Sequence, residues 1–458
     1  MKKEGRDWFV LTFSILLLSL LLCSLSWGQY KVPPEPRPRP TMSLEEIRAK
    51  AKMKNFEVVG QVLLTWPGTG SQIALAGNVA YAALMPPAIG VDIIDISNPS
   101  SPKLVGHVDP PGAPQVHSHK VRVCGNIMVI NAERNRFTSP KEWKGGLAIY
   151  DISDKLHPQL MKFLDVPGEG VHRIFFDCSN MRVYMNATDK GFLDSIEWVV
   201  DLRNPRNPVL LSKIWYPGQK DGEPRDWIPG VFGDPLPKKR IAPHNVTPYG
   251  NRLYAAWWDA GLTIWDISDI YNPKLVGSRS IKPPDQGATH SAYPIKGYPL
   301  VVTNDEWFRC PQGYVRIWDV GYEKNPLQIS TFQLPISKKC PEPVPGLNQS
   351  AHVIAEPEVL EWQDWPLNLV FVSWFGQGLR VIDISDPYLP VEAGFFEPPV
   401  WPGANEMGGK PVAYGSDVTV DWKNRLIYLT DRVDHGGGGL YILKWTGDGE
   451  KPINFIVQ

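Results

Sequence analysis

The sequence predicts an all-β fold, a seven-bladed β-propeller closed by an N-terminal strand that completes the last blade. The first observation is a phrase that recurs along the chain: an apolar strand ending in Asp-Ile-Ser or a variant of it, a turn with Pro, and a second apolar strand. The marker positions run from Asp95 to Lys444, 349 residues in six steps, so the period averages about 58, the length of one four-stranded blade with its loops. The copies begin at Val91, Leu147, Trp198, Leu262, Val315, Leu379 and Leu440.

The second observation concerns the two ends of the repeat array. The seventh repeat stops after its third strand, whereas the segment from Phe56 to Gly68 has the pattern of the fourth strand in the other repeats. We therefore expect the N-terminal strand to complete the last blade, because this pairing removes an exposed sheet edge. The predicted propeller spans residues 56–446, and a polar tail follows over 447–458.

The third observation is the chemistry of the Asp-Ile-Ser phrase. An acid next to a hydroxyl suggests catalysis. However, this pair recurs in nearly every predicted blade, whereas a protein normally has one active site. Asp and Ser side chains accept backbone N–H groups in tight turns, and the Pro that follows fixes φ. We interpret the phrase as a turn device.

Composition and charge narrow the function classes. The chain has 458 residues, 43% hydrophobic, with a formal net charge of -1. This is enough for one large all-β domain, and it provides no charged field for nucleic acid or an anionic membrane surface. We expect no nucleic-acid partner, and membrane contact only through an N-terminal anchor.

The N-terminus has the pattern of a targeting segment. Basic residues precede an apolar run over 9–25 that ends in Ser26-Trp27-Gly28, so residues 1–28 are either an export signal cleaved after Gly28 or an uncleaved anchor. Lipid attachment at Cys23 is less favoured, because Leu22 stands where a small residue is expected. Each alternative puts the propeller outside the cytoplasm, in the periplasm, at the cell surface or secreted.

Residues 29–55 form the predicted connection to the propeller. A Pro-rich spacer over 32–40 comes first. Ser43 and Glu46 then make a capping box for a short helix through about Lys54.

The repeat phrases carry a family resemblance. LVGHVD, DIIDISNP, LTIWDISD and LRVIDISDP resemble the LVIVD repeat family of exported prokaryotic proteins, over roughly 56–445. The resemblance implies a β-propeller and an exported protein, and it implies no single reaction. A weaker resemblance links the chain to the selenium-binding protein and methanethiol oxidase family, which are also propellers with histidines near the axis.

A histidine occupies one register in five consecutive blades, at the start of the innermost strand. Only nine histidines occur in the chain, and the first and seventh blades have Ser71 and Asp417 at this position. Innermost strands line the central channel, so we expect these imidazoles to converge on the axis and to bind copper, iron or zinc. The alternative is a repeated structural latch between blades. The five are His119, His172, His244, His290 and His352.

Further polar groups are expected around this mouth, as outer partners of the metal ligands or as rim residues. His117 lies two residues before His119, and His435 lies in the DHGGGG loop. The carboxylates are Glu133, Asp259, Glu306, Asp417 and Asp431, with Asp189 at the equivalent place in the third blade. No serine-hydrolase elbow or phosphate-binding glycine loop is present in the sequence.

Four cysteines follow the predicted signal. We predict the pairs Cys124–Cys178 and Cys310–Cys340, because only these pairings keep both partners on one face of the propeller. Free buried thiols are the alternative.

Long loops with Trp, Gly and Pro are expected on the histidine face, over 217–240, 335–348 and 397–416. They suggest a surface for a small-molecule or protein ligand. The first functional hypothesis is therefore a binding module with a metal site. The second is a copper- or iron-dependent oxidoreductase acting on a small organic or sulfur compound, and the third is a scaffold without metal. The sequence leaves the choice between enzyme and binding protein open.

Overall fold

The computed structural model describes residues 41–455 except 67–68, 87, 137, 228, 231–237, 283–284, 286, 308–310, 336–348, 357–365, 403–414 and 432–436. The targeting segment, the spacer, His435 and the Cys310–Cys340 pair lie outside this part of the chain. Within the described residues, no helix is long and apolar enough to cross a membrane.

Seven antiparallel sheets of four or five strands form the propeller, as predicted. The first blade consists of β3 (Gly70–Ala76), β4 (Val79–Leu84), β5 (Val91–Asp95) and β6 (Lys103–Val108). The second has a divided inner strand, β7 (Val116–His117) and β8 (Val121–Cys124), followed by β9 (Ile127–Arg134), β10 (Gly146–Asp151) and β11 (Gln159–Asp165). The third consists of β12 (Val171–Asp177), β13 (Arg182–Thr188), β14 (Ser195–Asp201) and β15 (Val209–Ile214).

The remaining blades continue the same order from the inside outwards. The fourth consists of β16 (Val246–Tyr249), β17 (Arg252–Ala256), β18 (Leu262–Asp266) and β19 (Lys274–Arg279). The fifth consists of β20 (Thr289–Pro294), β21 (Leu300–Asp305), β22 (Val315–Asp319) and β23 (Leu327–Phe332). The sixth consists of β24 (Ala351–Ile354), β25 (Leu369–Trp374), β26 (Gly378–Asp383) and β27 (Val391–Glu397), and the seventh of β28 (Asp417–Asp421), β29 (Leu426–Thr430) and β30 (Leu440–Trp445).

The N-terminal strand β2 (Phe56–Val62) is the outer strand of the seventh sheet. It pairs antiparallel with β30, from Phe56 opposite Trp445 to Val62 opposite Leu440. Val58 is fully buried on this strand and packs with the aromatic and aliphatic side chains of the sixth and seventh blades. The burial of its apolar side chain stabilises the junction between the two ends of the propeller.

The short helix α1 (Leu44–Lys50) begins with the predicted capping box, since Ser43 and Glu46 each accept the other's backbone N–H. The prediction that it runs to about Lys54 is wrong. Ala51 is extended, and Lys52–Lys54 form β1, which pairs with β27 as a fifth strand of the sixth blade. Here the hydrogen bonds to a sheet edge outweigh the helix propensity of a Lys-rich segment.

The Asp turns have the predicted mechanical role. In six blades the Asp at the end of the third strand accepts the backbone N–H of the second residue after it, at 2.8–2.9 Å. These residues are Asp95, Asp151, Asp201, Asp266, Asp319 and Asp383. The turn connects the third strand of the blade to the partly exposed outer strand. Because each of these blades has this connection, the phrase recurs once per blade.

The disulfide Cys124–Cys178 joins the second and third blades, with a Cα–Cα distance of 5.5 Å. This is one of the two predicted pairs. Both cysteines lie at the turn after the inner strand of their blade, on the face opposite the histidines.

The inner strands contact one another in a closed ring around the axis: β3, β8, β12, β16, β20, β24 and β28. The histidines of the common register therefore lie at the start of neighbouring strands, at one end of the channel.

Candidate functional site

The six histidines at the channel mouth form a continuous arc of rings. Neighbouring ring centroids lie 3.8–5.1 Å apart, and all but one of the imidazole side chains are nearly buried; His172 is 38% exposed. In order along the arc they are His117, His119, His172, His244, His290 and His352. The structure thus brings the five register histidines together and adds His117, but it arranges them side by side and not around one point.

Glu133 is the carboxylate at the first part of this arc. It lies at the end of β9, and its Oε2 is 2.6 Å from Nδ1 of His172 and 3.1 Å from Nε2 of His117. Burial alone would raise the pKa of Glu133, but the charge and hydrogen bonds of these two histidines lower it well below its usual value. Glu133 is therefore an ionised acceptor that orients two rings.

The tautomers of two central histidines follow from their acceptors. Nδ1 of His172 faces the carboxylate of Glu133, and Nδ1 of His244 lies 2.8 Å from Oδ1 of Asn245 and 3.0 Å from the backbone oxygen of His290. Each Nδ1 must therefore donate a hydrogen. The Nε2 atoms of His172 and His244 carry the lone pairs when the rings are neutral, and these two atoms lie 3.2 Å apart.

Burial favours the neutral form of the imidazole rings. It lowers the pKa of His119, His244 and His290 well below the usual value, and it lowers that of His172 to a smaller extent because Glu133 opposes it. The neighbouring cations Lys120 and Arg173 act in the same direction as burial. Neutral imidazole is the form that binds a metal ion.

The second part of the arc contains Glu306, which follows β21. Its Oε2 is 3.3 Å from Nε2 of His290, and its Oε1 is 3.9 Å from Nε2 of His352. The ring of His352 stacks on Phe375 at 4.1 Å, and its Nδ1 donates to the backbone oxygen of Ser416 in the next blade. His352 is thereby held with Nε2 towards Glu306.

Some of these contacts join neighbouring blades, in agreement with the alternative interpretation of the histidines as structural latches. Nδ1 of His244 and Nδ1 of His352 both bond a backbone oxygen of the following blade. A latch of this kind uses one ring nitrogen and leaves the other for the channel mouth. The contacts that join blades therefore also fix which nitrogen is the potential ligand.

Three of the expected rim carboxylates have partners other than the histidines. Asp259 is 2.8 Å from Nζ of Lys282 and accepts the backbone N–H of Ala288 and of Arg240. Asp431 accepts the backbone N–H groups of the glycine loop at 438–439. Neither Asp259 nor Asp431, nor Asp417, belongs to a group of potential metal ligands in the described part of the chain.

Asp417 takes part in a buried ionic network further along the channel. It lies 3.5 Å from Lys120 and 3.9 Å from Arg173, while Glu356 contacts Arg122 and Arg173. Burial lowers the pKa of Lys120 well below its usual value and lowers that of Arg173 to about 9. Sequence reasoning missed this network. The signal was present, since a basic residue directly follows the register histidine in the second and third blades.

A cavity of about 200 Å³ opens beside the arc of histidines. Glu133, His172, His244 and Glu306 contribute to its wall, so it borders both parts of the arc. Trp258 closes one side, and the guanidinium of Arg240 lies 5.0 Å over its ring while pairing with Asp194. This is space for a small ligand next to the imidazoles.

Together, the sheets and the arc define a β-propeller with a histidine-lined channel mouth. Four segments of the chain match the model of the LVIVD repeat, over residues 67–110, 142–166, 243–280 and 368–397. This confirms the resemblance to the LVIVD repeat family at four regions of the chain.

No curated protein matches the chain in sequence. Among solved structures, it is similar to the computationally designed Ika8 protein, with 13% identity, a TM-score of 0.44, and coverage of 84% of this chain and 98% of that one. It is also similar to the β-propeller domain of Myceliophteria thermophila Cps50 (Swd1), with 10% identity, a TM-score of 0.49, and coverage of 85% and 99%. Neither similarity bears on what this chain binds.

Proposed function

We propose that this LVIVD-repeat propeller is an exported binding module whose channel mouth binds a transition metal through imidazole nitrogens. The observation that carries the proposal is the pair of Nε2 atoms of His172 and His244, 3.2 Å apart. Two nitrogen ligands about 2.0–2.1 Å from one metal ion lie about 2.8–3.4 Å apart when the angle between them is 90–109°. The observed separation falls within that range.

Electrostatics supports this assignment. Since both Nδ1 atoms donate to oxygen acceptors, the two Nε2 lone pairs of neutral His172 and His244 face each other inside a buried mouth. Two such lone pairs repel unless a proton or a cation lies between them. A metal ion satisfies both, and imidazole with carboxylate nearby suits copper, iron or zinc.

The supporting contacts resemble those found around metal-bound histidines in general. A ligating imidazole usually donates its other N–H to a carboxylate or a backbone oxygen, which fixes the ring orientation and raises its basicity. His172 donates to Glu133, His244 to the backbone oxygen of His290, and His352 to that of Ser416. The same arrangement thus recurs at three blades.

Export is the location that fits the repeat family and the N-terminal pattern. The disulfide between Cys124 and Cys178 agrees with an oxidising compartment. We therefore place the binding module in the periplasm, at the cell surface or outside the cell.

The second candidate is a copper- or iron-dependent oxidoreductase for a small organic or sulfur compound. The cavity of about 200 Å³ favours it, because a bound molecule there lies against His172, His244 and the two carboxylates Glu133 and Glu306. The weaker resemblance to the methanethiol oxidase family points to the same class. Bound copper or iron supplies one-electron chemistry, and the chain supplies the pocket and the imidazole ligands.

Metal binding by the purified protein tests the proposal. Metal-depleted protein is titrated with copper, iron and zinc, alongside the variants His172→Gln and His244→Gln. We expect at least a tenfold loss of affinity in each variant. His157→Gln is the matched control, because His157 also pairs with a carboxylate, Asp154, but is 74% exposed on the outside of a blade. Wild-type affinity in both mouth variants, or no binding by wild type, contradicts the proposal.

Oxygen consumption then separates the two candidates. The copper- or iron-loaded protein is assayed with small thiols and other reduced organic compounds. Turnover that disappears in His244→Gln supports the oxidoreductase. Metal binding without any turnover supports the binding module.

A further inference from the structure

We infer that the channel mouth binds two metal ions, one in each of two separate groups of ligands. This inference rests on the proposed function and specifies its stoichiometry. The first group is His117, His119, Glu133 and His172, and the second is His290, Glu306 and His352. Within each group, the potential ligand atoms lie within 4.8 Å of one another.

The first group lies at the boundary of the second and third blades. Three of its members belong to the second blade, where the inner strand is divided into β7 and β8, and the division brings both His117 and His119 to the mouth. Glu133, at the end of β9, lies between His117 and His172. Nε2 of His172 is the atom that the proposed ion shares with His244, and His117 and His119 offer further imidazole ligands on the same side, while Glu133 orients His172 and supplies the negative charge.

The second group lies at the boundary of the fifth and sixth blades. Glu306 is within 3.3 Å of His290 and within 3.9 Å of His352. His290 is 1% exposed, and its Nδ1 has no hydrogen-bond partner among the described residues. The other ring nitrogen, Nε2, faces Glu306 and is the potential ligand atom of His290. Two imidazoles and one carboxylate leave a coordination position for an external ligand.

The two groups are too far apart to share one ion. Ligands about 2.0–2.1 Å from a metal are at most about 4.2 Å from each other, even on opposite sides of it. Among the described residues, no set within 4.8 Å takes members from both groups. His244 lies between them, with its Nε2 3.2 Å from that of His172 and its ring 3.8 Å from that of His290.

Charge favours the same division. Each group contains one carboxylate, so each divalent ion has a partial counter-charge of its own. The cavity of about 200 Å³ includes both carboxylates in its wall. A small molecule in this cavity can therefore contact members of both groups, which makes the space between the ions the expected ligand position.

Metal stoichiometry tests the inference. Metal-depleted full-length protein is dialysed against zinc or copper, and the bound metal is measured by elemental analysis. We expect two equivalents for wild type and for the control His157→Gln. We expect one equivalent for His117→Gln, which removes a ligand of the first group, and one for His352→Gln, which removes a ligand of the second.

The outcomes distinguish the inference from the proposed function. One equivalent in wild type overturns the two-ion inference and leaves metal binding intact, whereas no bound metal overturns both. Two equivalents in wild type, His117→Gln and His352→Gln alike place the ions elsewhere and also overturn the inference. Should either variant fail to fold by circular dichroism, Glu133→Gln and Glu306→Gln replace it, with the same expected loss of one equivalent.

Discussion

Replacement of His107 is predicted to remove a pH-dependent contribution to the stability of the first blade. Nδ1 of His107 lies 2.8 Å from Oδ1 of the fully buried Asp92, and its Nε2 lies 3.2 Å from Asp109. Asp92 also accepts the backbone N–H and the hydroxyl of Thr65, both at 2.7 Å. The contacts of Asp92 join β5 of the first blade to the segment that follows the N-terminal strand β2.

The magnitude follows from the pKa of His107. Burial alone would lower it, but the hydrogen bonds to Asp109 and Asp92 raise it from 6.5 to about 9. A pKa difference of about 2.5 corresponds to about 3.4 kcal/mol. Because the side chain is 30% exposed, solvent screening reduces this, and we expect about 2–3 kcal/mol. The folded pKa is the higher one, so this stability is fully present below pH 6.5 and is lost as the pH rises through 9.

The assay is urea unfolding followed by Trp fluorescence at pH 6, 8 and 10, with a chelator present so that metal ions do not contribute. Wild type should have a higher free energy of unfolding than His107→Gln. This difference should be about 2–3 kcal/mol larger at pH 6 than at pH 10. The control is His157→Gln, whose ion pair with Asp154 is exposed and should contribute little at either pH. A difference that does not change with pH, or that changes equally in the control, would mean that the contacts of His107 with Asp92 and Asp109 do not cause the pH dependence.

Three further predictions concern the fold. The double variant Cys124→Ser and Cys178→Ser opens a loop of 54 residues and should lower the free energy of unfolding by about 4 kcal/mol in non-reducing urea titrations; an unchanged midpoint contradicts this. Val58→Ala should cost about 2 kcal/mol, whereas Val105→Ala, 47% exposed, should cost less than about 0.5; equal effects would mean that the N-terminal strand contributes no core packing. Burial raises the pKa of Glu197 well above its usual value, so the stability of wild type falls as the pH rises above 4.5. The free energy of unfolding of Glu197→Gln should therefore be at least about 1 kcal/mol higher than that of wild type at pH 8, and the two should become equal near pH 4. A difference that grows as the pH falls contradicts this prediction.

The repeated features of this protein were predictable because each blade carries its own copy of them. The Asp turns are local, since Asp95 and its equivalents bond a backbone N–H only two residues away. The histidine register was also visible, because strand period fixes where His172 and His290 fall in their blades. The family resemblance rests on the same local phrases.

The arrangement within the mouth depends on contacts between blades, which a single sequence does not display. Asp259 and Asp431 come at the end of the second strand of their blades, as Glu133 does, yet Asp259 pairs with Lys282 and Asp431 accepts backbone N–H groups of a glycine loop. The divided inner strand of the second blade brings in His117, and the sequence predicted that residue only as a neighbour of His119.

The helix prediction failed for a related reason. The capping box at Ser43 correctly marks the start of the helix, but its end depends on the edge of β27, which becomes adjacent only when the propeller closes. Tertiary hydrogen bonding overrides local propensity at Lys52–Lys54.

An anomalous diffraction map, recorded from crystals of the protein loaded with copper or zinc, locates any metal ion bound at the channel mouth. We expect a peak about 2.0–2.1 Å from Nε2 of His172 and Nε2 of His244, with a second peak beside His290 and His352. A map with no peak at the channel mouth, while the crystals retain metal elsewhere, would mean that these imidazoles do not bind a metal ion.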